Sequence, residues 1–486
     1  MSGRHRLVMV SPWLPRRGSD DCAIGEDRAS GEERATGDDW ATGEAIIPAL
    51  MALTRAEDGI WVGGSTQQQC SEAPGSTENP ESPDTPANSQ SPGLPMRSVP
   101  LDESAGFIEA DGLGLTRGTL WPLYHDDLSG LRFSQSWWTA YREVNTRFAE
   151  AAAEVADTQA TVWIHGLQLQ LVPRMLRRLR PDLLIGFSLH VPFPGLPTFS
   201  QLPWREEMLG GLLAADVLGF EREGDRTNFA DVAAALAPVT DLQVSSLPSL
   251  TVAPTAIDAE AIAAAADTVV DRGEHRHLRS HLGDPDILLL AVDRLDPTCG
   301  IMHRLHAISS LLEDGRIDPQ AVSFLQVVLP PCASDAAGDR LREDIERCIG
   351  HINGRFAGLG RPVVMYRHRD VPVDELIGLC LAADVFLSTP LREGMGLSAE
   401  AYVTARRGRG GALVVSEFDG VADVLDGAVV VNPHDGPGLA DAIMSAMTLD
   451  PRDAARRIDA MAETVASDES QRWAETFLAT LRGRSS

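Results

Sequence analysis

From about residue 118 onward the chain alternates between two apolar patterns. Short runs rich in Val, Ile, Leu and Phe are followed by longer stretches whose apolar positions recur every three or four residues. The first pattern belongs to strands buried on both faces of a sheet, the second to amphipathic helices. Thus TVWIH (161–165), LLIGFSLH (183–190) and DVLGF (216–220) predict strands. Between and before them, the segments 135–156, 169–179 and 203–215 predict helices. The second half repeats the rhythm, with strands expected at 287–292, 322–329, 362–366, 384–388, 412–416 and 428–432. Near the start, RLVMVS (6–11) and GIWVGG (59–64) read as strands around a helix at 45–56. Such alternation predicts an α/β fold with parallel, doubly wound sheets. At 486 residues the chain is too long for one core. Two Rossmann-like domains are therefore expected, with a ligand in the cleft facing the strand C-termini. The N-terminal domain is placed at 1–257 and the C-terminal domain at 258–470. A last helix at 471–486 is expected to pack back across them.

Two segments break the pattern. Residues 20–44 hold nine acidic and two basic residues in near-repeats (ASGEERATGDDWATGEA), which reads as a solvated insertion. Residues 65–105 are rich in Pro, Ser and Gly and read as a disordered insertion.

Charge narrows the partners. A formal net charge of −28 argues against nucleic acid and anionic membranes. All 42 basic residues are arginines, so any phosphate site must use Arg, His or backbone N–H groups. The six cysteines are scattered with no C-x-x-C pair, as in a reduced cytoplasmic protein without a zinc site. No run of 18 apolar residues predicts a membrane-spanning helix.

Two stretches carry candidate chemistry. In ILLLAVDRLDPTCG (287–300) a buried strand ends in a polar turn with Arg294, and Cys299 precedes a glycine. In TPLREGMGLSAEAYV (389–403) a glycine-containing loop leads into the next helical segment. These stretches, together with LWPLYHD (120–126), the run ATVWIHGLQLQ…LLIGFSLHVPFPG (160–195) and ALVVSEFDGVADVLDGAVVVNPHD (412–435), resemble the trehalose-6-phosphate synthase family, closest to actinobacterial-type members.

The resemblance implies a retaining glycosyltransferase of the GT-B fold. That family moves glucose from UDP-glucose to glucose 6-phosphate, without a metal and with no cofactor beyond the nucleotide sugar. It places Arg294 and His190 at the catalytic centre. The donor would be held by Arg294, position 299 and the loop Glu393, Gly394, Met395, Gly396 and Leu397, with Ala401 behind it. Several of these depart from the family. Cys299 stands where a diphosphate-binding lysine is expected, Glu400 where a lysine is, and Ala401 where a ribose-binding glutamate is. On the acceptor side the resemblance points to Trp13, Trp121, Gly166, His190 and Cys332. Trp13 and Cys332 take the places of phosphate arginines and Gly166 that of an aspartate. Glu44 and Ala45 replace a glycine pair, and Gly64 a tryptophan.

Each position has a second reading. Arg294 is either a diphosphate contact or a structural partner of Asp293 or Asp296. His190 touches sugar or fills the core, as does Trp121. Cys299 is a reactive thiol or an inert filler. Glu400 repels a diphosphate or is solvated on its helix. The expected function is that of the family with synthase activity impaired or lost. The alternatives are an active transferase with a changed donor or a non-phosphorylated acceptor, and a regulatory or scaffold paralogue paired with an active synthase. Nucleotide sugar, sugar acceptor, a second copy or such a synthase are the expected partners.

Overall fold

The computed structural model describes residues 4–15, 46–65, 94–101, 112–237, 247–330, 336–358, 361–467 and 470–483. Seven parallel strands form the first sheet, in the order β3-β2-β1-β4-β5-β6-β7. They are β1 (His5–Trp13), β2 (Ile60–Ser65), β3 (Met96–Pro100), β4 (Ala156–His165), β5 (Leu184–Leu189), β6 (Val217–Phe220) and β7 (Ser249–Val252). The second sheet has six, in the order β10-β9-β8-β11-β12-β13. These are β8 (Ile287–Arg294), β9 (Val322–Leu329), β10 (Val364–His368), β11 (Val385–Ser388), β12 (Ala412–Ser416) and β13 (Val429–Val431). In each sheet the strand order reverses next to the first strand, between β1 and β4 and between β8 and β11. Ligands of open α/β sheets bind at that reversal.

The apolar runs behave as their composition requires. All eight residues of β9 are buried, because helices cover both faces. The helix Gln135–Val155 buries Trp138, Tyr141, Val144, Phe148, Ala152 and Val155, one stripe three or four residues apart. Two clusters sandwich each sheet.

One strand falls where a disordered insertion was expected. β3 lies inside 65–105 and pairs in parallel with β2. Only Val99 of its five residues is buried, since an edge strand is covered on one side alone. It therefore leaves no apolar run to read. Apart from Ser65, which ends β2, and 94–101, that insertion lies outside the described residues, as does the acidic segment 20–44.

Residues 253–258 lead from β7 to the helix Ala259–Arg272, capped by the Asp258 side chain accepting from the Ala261 amide. At the other end the helix Ser470–Arg482 returns to the first sheet. Trp473, Phe477, Leu478 and Leu481 join Leu7, Met9 and Trp163 in one cluster, and Arg482 pairs with Glu57 at 2.7 Å. No described helix is long and apolar enough to cross a membrane.

Candidate active site

The C-terminal ends of β1, β4, β5, β8 and β11 converge on the cleft between the two sheets. β8 ends at Arg294, and a short 3₁₀ turn, Pro297–Cys299, follows. The Thr298 carbonyl accepts from the Leu391 amide at 2.7 Å, which joins this turn to the loop after β11. That loop runs through Glu393 and Gly394 into the helix Leu397–Ala405, with Gly396 at its N-cap.

Arg294 donates from Nη2 to Glu393 Oε2 at 2.8 Å, and its guanidinium lies 5.1 Å from the ring centre of Trp121. This partner is Glu393 of the loop after β11, while Asp293 and Asp296 bond to other groups. Asp293 instead pairs with the fully buried Arg304, which also donates to the Cys299 carbonyl at 3.1 Å and to Thr389 Oγ1 at 2.9 Å. Asp296 accepts from the Thr298 amide and hydroxyl. Cys299 is 5 % exposed within an apolar cluster, and burial pushes its thiol far above the usual range. It is a neutral filler, because the thiolate is the reactive form.

Glu393 uses both carboxylate oxygens. Oε2 takes Arg294, and Oε1 accepts from the Gly394 amide at 3.1 Å. The loop then presses on the other domain. A Cβ at Gly394 would stand 2.7 Å from the His190 carbonyl oxygen, so only glycine permits this approach. Met395 packs beside the core cluster that contains Leu397 and Ala401. Ala401 is 2 % exposed and is core, not cleft lining.

Glu400 does not confront a diphosphate as a loose charge. Its Oε2 accepts from the Ile257 amide at 3.3 Å and so ties the helix to the interdomain connection. More links seal the cleft. Arg392 pairs with Asp126 and donates to the Phe193 carbonyl at 2.9 Å. Arg222 donates to Asp423 at 2.9 Å and to the Glu417 carbonyl at 3.2 Å. These contacts join residues far apart in sequence, so no local pattern announced them.

On the first sheet, His190 follows β5 and is held on both ring nitrogens. Nδ1 lies 2.7 Å from Glu221 Oε1, and Nε2 lies 3.0 Å from His165 Nδ1. The two imidazoles are parallel, with centres 5.3 Å apart. Glu221 is fixed by the Thr255 amide at 2.6 Å and hydroxyl at 2.7 Å. Burial holds the His165 imidazole neutral, with His190 adding to the effect.

Gly166 follows β4 with φ +97°, a conformation that side chains avoid, and an added Cβ would stand 2.7 Å from Pro12 Cγ. At Gly64 the corresponding space is filled by Leu101. The backbone of Trp13 closes β1 opposite Gly64. Trp121 stacks on His125 at 4.0 Å, and the His125 Nδ1 lies 2.9 Å from the Trp121 carbonyl. The structure thus brings Trp121, Arg294, Cys299 and the loop 393–397 to one corner and His190 against its edge. Cys332, Glu44 and Ala45 lie outside the described residues.

Two parallel-sheet domains meeting at their strand C-termini define a GT-B glycosyltransferase fold, and the solved structures that match it are of that kind. The model of glycosyltransferase family 20 matches residues 23–483, and the chain belongs to that family. It is 42 % identical over 452 residues to a trehalose-6-phosphate synthase of Mycobacterium sp. strain KMS, covering 90 % of this chain and 89 % of that one. It is 42 % identical over 384 residues to the trehalose-6-phosphate synthase of Mycobacterium tuberculosis, covering 76 % and 77 %. The crystal structure of a UDP-forming α,α-trehalose-phosphate synthase from Burkholderia xenovorans superposes with a TM-score of 0.82 at 28 % identity, covering 99 % of this chain and 100 % of that one.

Proposed function

We propose that this family 20 protein descends from enzymes that move glucose from UDP-glucose to glucose 6-phosphate, and that its own synthase activity is impaired or lost. One observation carries the reading: position 299 supplies a buried, neutral thiol beside Arg294. Departure of UDP builds negative charge on the diphosphate, and one missing charge-stabilising donor costs about 10²–10³ in rate. A thiol is at best a weak donor and brings no cation. Ala401 adds to this, since its methyl group lies in the core and offers nothing to a ribose.

The test is UDP release from UDP-glucose and glucose 6-phosphate, alongside calorimetric titration with UDP, GDP, ADP and their glucose conjugates. Slow or absent turnover with weak nucleotide binding is expected. Turnover at a rate ordinary for a glycosyltransferase, about 1–10³ s⁻¹, would sink the reading. A second reading, transfer from another donor or to a non-phosphorylated acceptor, is favoured by Arg294 and the Gly394 approach remaining in the cleft. Tight binding of a nucleotide sugar other than UDP-glucose would select it.

A further inference from the structure

Arg294, the Gly394 amide and the start of the helix Leu397–Ala405 make one electropositive corner. A guanidinium, an N–H and a helix N-terminus all favour an anion there. The corner already holds one. The Glu393 carboxylate takes Arg294 on one oxygen at 2.8 Å and the Gly394 amide on the other at 3.1 Å. Its side chain is 13 % exposed and that of Arg294 18 %, so the pair is largely shielded from water and from screening by salt.

We propose that Glu393 is a built-in anion that sets the affinity of this corner for phosphorylated ligands: a phosphate or diphosphate binds only by displacing it. The inference rests on the reading that the cleft is the ligand site, and it adds that part of the lost affinity is self-occupancy. The geometry around Glu393 supports a displaceable plug over a fixed strut. Arg294 does not depend on Glu393 alone for its placement, because the Trp121 ring flanks the guanidinium at 5.1 Å. The loop backbone is likewise held from elsewhere, by Arg392 on the Phe193 carbonyl and by the Glu393 amide donating to the Phe418 carbonyl at 3.1 Å. The carboxylate can therefore swing out while its two donors keep their positions. The opposing acids of the corner are Asp296, Asp293 and Asp419. Asp296 is committed to Thr298, Asp293 to Arg304 and Asp419 to Ser388, so Glu393 is the carboxylate that occupies both donors.

The experiment titrates pyrophosphate, and separately UDP, into the full chain and its variants by calorimetry. Glu393→Ala removes the carboxylate from the corner. Glu393→Gln keeps its shape and a hydrogen bond to Arg294 but drops the charge, and so covers the case in which Ala unsettles the fold. Both are expected to bind pyrophosphate at least about 10-fold tighter than the wild type, as expected for removing one competing charge-assisted contact. Adding Arg294→Ala to either variant is expected to abolish the gain. No gain in either folded variant overturns the proposal, and so does a gain that survives loss of Arg294. Rapid turnover of UDP-glucose by the wild type would refute the preceding reading without touching this titration.

Discussion

The indole N–H of Trp473, in the last described helix, donates to the carbonyl of Ala253 at 2.8 Å, just past the final strand of the first sheet. Residues 220 positions apart thus meet where the chain passes between its domains. The same indole lies 5.3 Å from the ring of Trp163 and 5.9 Å from that of His190. Trp473→Ala should cost about 3–5 kcal/mol in stability, as for large buried aromatics elsewhere. Trp473→Phe should cost far less, about 1 kcal/mol for the lost hydrogen bond plus the packing difference. Denaturant melts followed by circular dichroism check both. Equal effects would show that the ring packing contributes little.

Gly166 gives a backbone prediction. At φ +97° and ψ 145°, with Pro12 at 2.7 Å from any Cβ, Gly166→Ala should destabilise by about 1–3 kcal/mol. Gly166→Asp, the reversion toward the family, should do at least as much harm, since it adds the same Cβ. A thermal melt of either variant indistinguishable from wild type would contradict this.

Asp419 makes stability depend on pH. Burial pushes its carboxyl up to about 7, opposed by the Ser388 hydroxyl and reinforced by the charge of Glu393. The folded pKa exceeds the unfolded value of 3.8, so its contribution is complete below about pH 4 and is lost as pH rises through 7. Asp419→Asn cannot titrate. The variant should match wild type near pH 4 and be the more stable above pH 7, by no more than about 4 kcal/mol. Melting temperatures measured from pH 4 to 8 test the sign, and a gap that widens toward low pH would refute it.

Substitutions toward the family's residues at positions 299, 400 and 401 should fail one by one. Ala401 is 2 % exposed and Cys299 5 %, both inside apolar clusters. Ala401→Glu would overpack the core, costing about 1–3 kcal/mol, and would bury a carboxylate besides. Glu400→Lys would remove the acceptor of the Ile257 amide. We expect soluble yield and melting temperature of these variants to fall before any nucleotide binding returns. A stable triple variant of Cys299→Lys, Glu400→Lys and Ala401→Glu that binds UDP would show that the site is open after all.

The sequence displayed the strands well where both faces are buried. β9 and β12 fall at the expected residues, 322–329 and 412–416, because unbroken apolar runs mark them. β4 begins five residues earlier than its apolar run, at Ala156, since its first turns of chain are partly exposed. β3 and β7 were not legible, being short edge strands with mixed exposure. Of the cleft, Arg294 and the loop 393–397 were marked by the family resemblance of DRLDPTCG and LREGMGLSAEAYV. The partner of Arg294 was not. Local spacing favours Asp293 or Asp296, and only the fold brings Glu393, 99 positions away, within 2.8 Å. The place of Glu400 on the interdomain connection was hidden for the same reason.

The return of the last helix to the first sheet has a mechanical consequence. The polypeptide passes between the two halves twice, once after β7 and again between the helices Pro451–Ser467 and Ser470–Arg482. A body tethered at one point can swing and twist freely. Tethered at two, it turns mainly about the line joining them. Trp473 and Ala253 fasten the two tethers to each other, so the halves cannot part there without breaking that hydrogen bond. Contacts that bridge the halves across the cleft, such as Arg392 with Asp126, then add their resistance to any separation that would uncover Arg294.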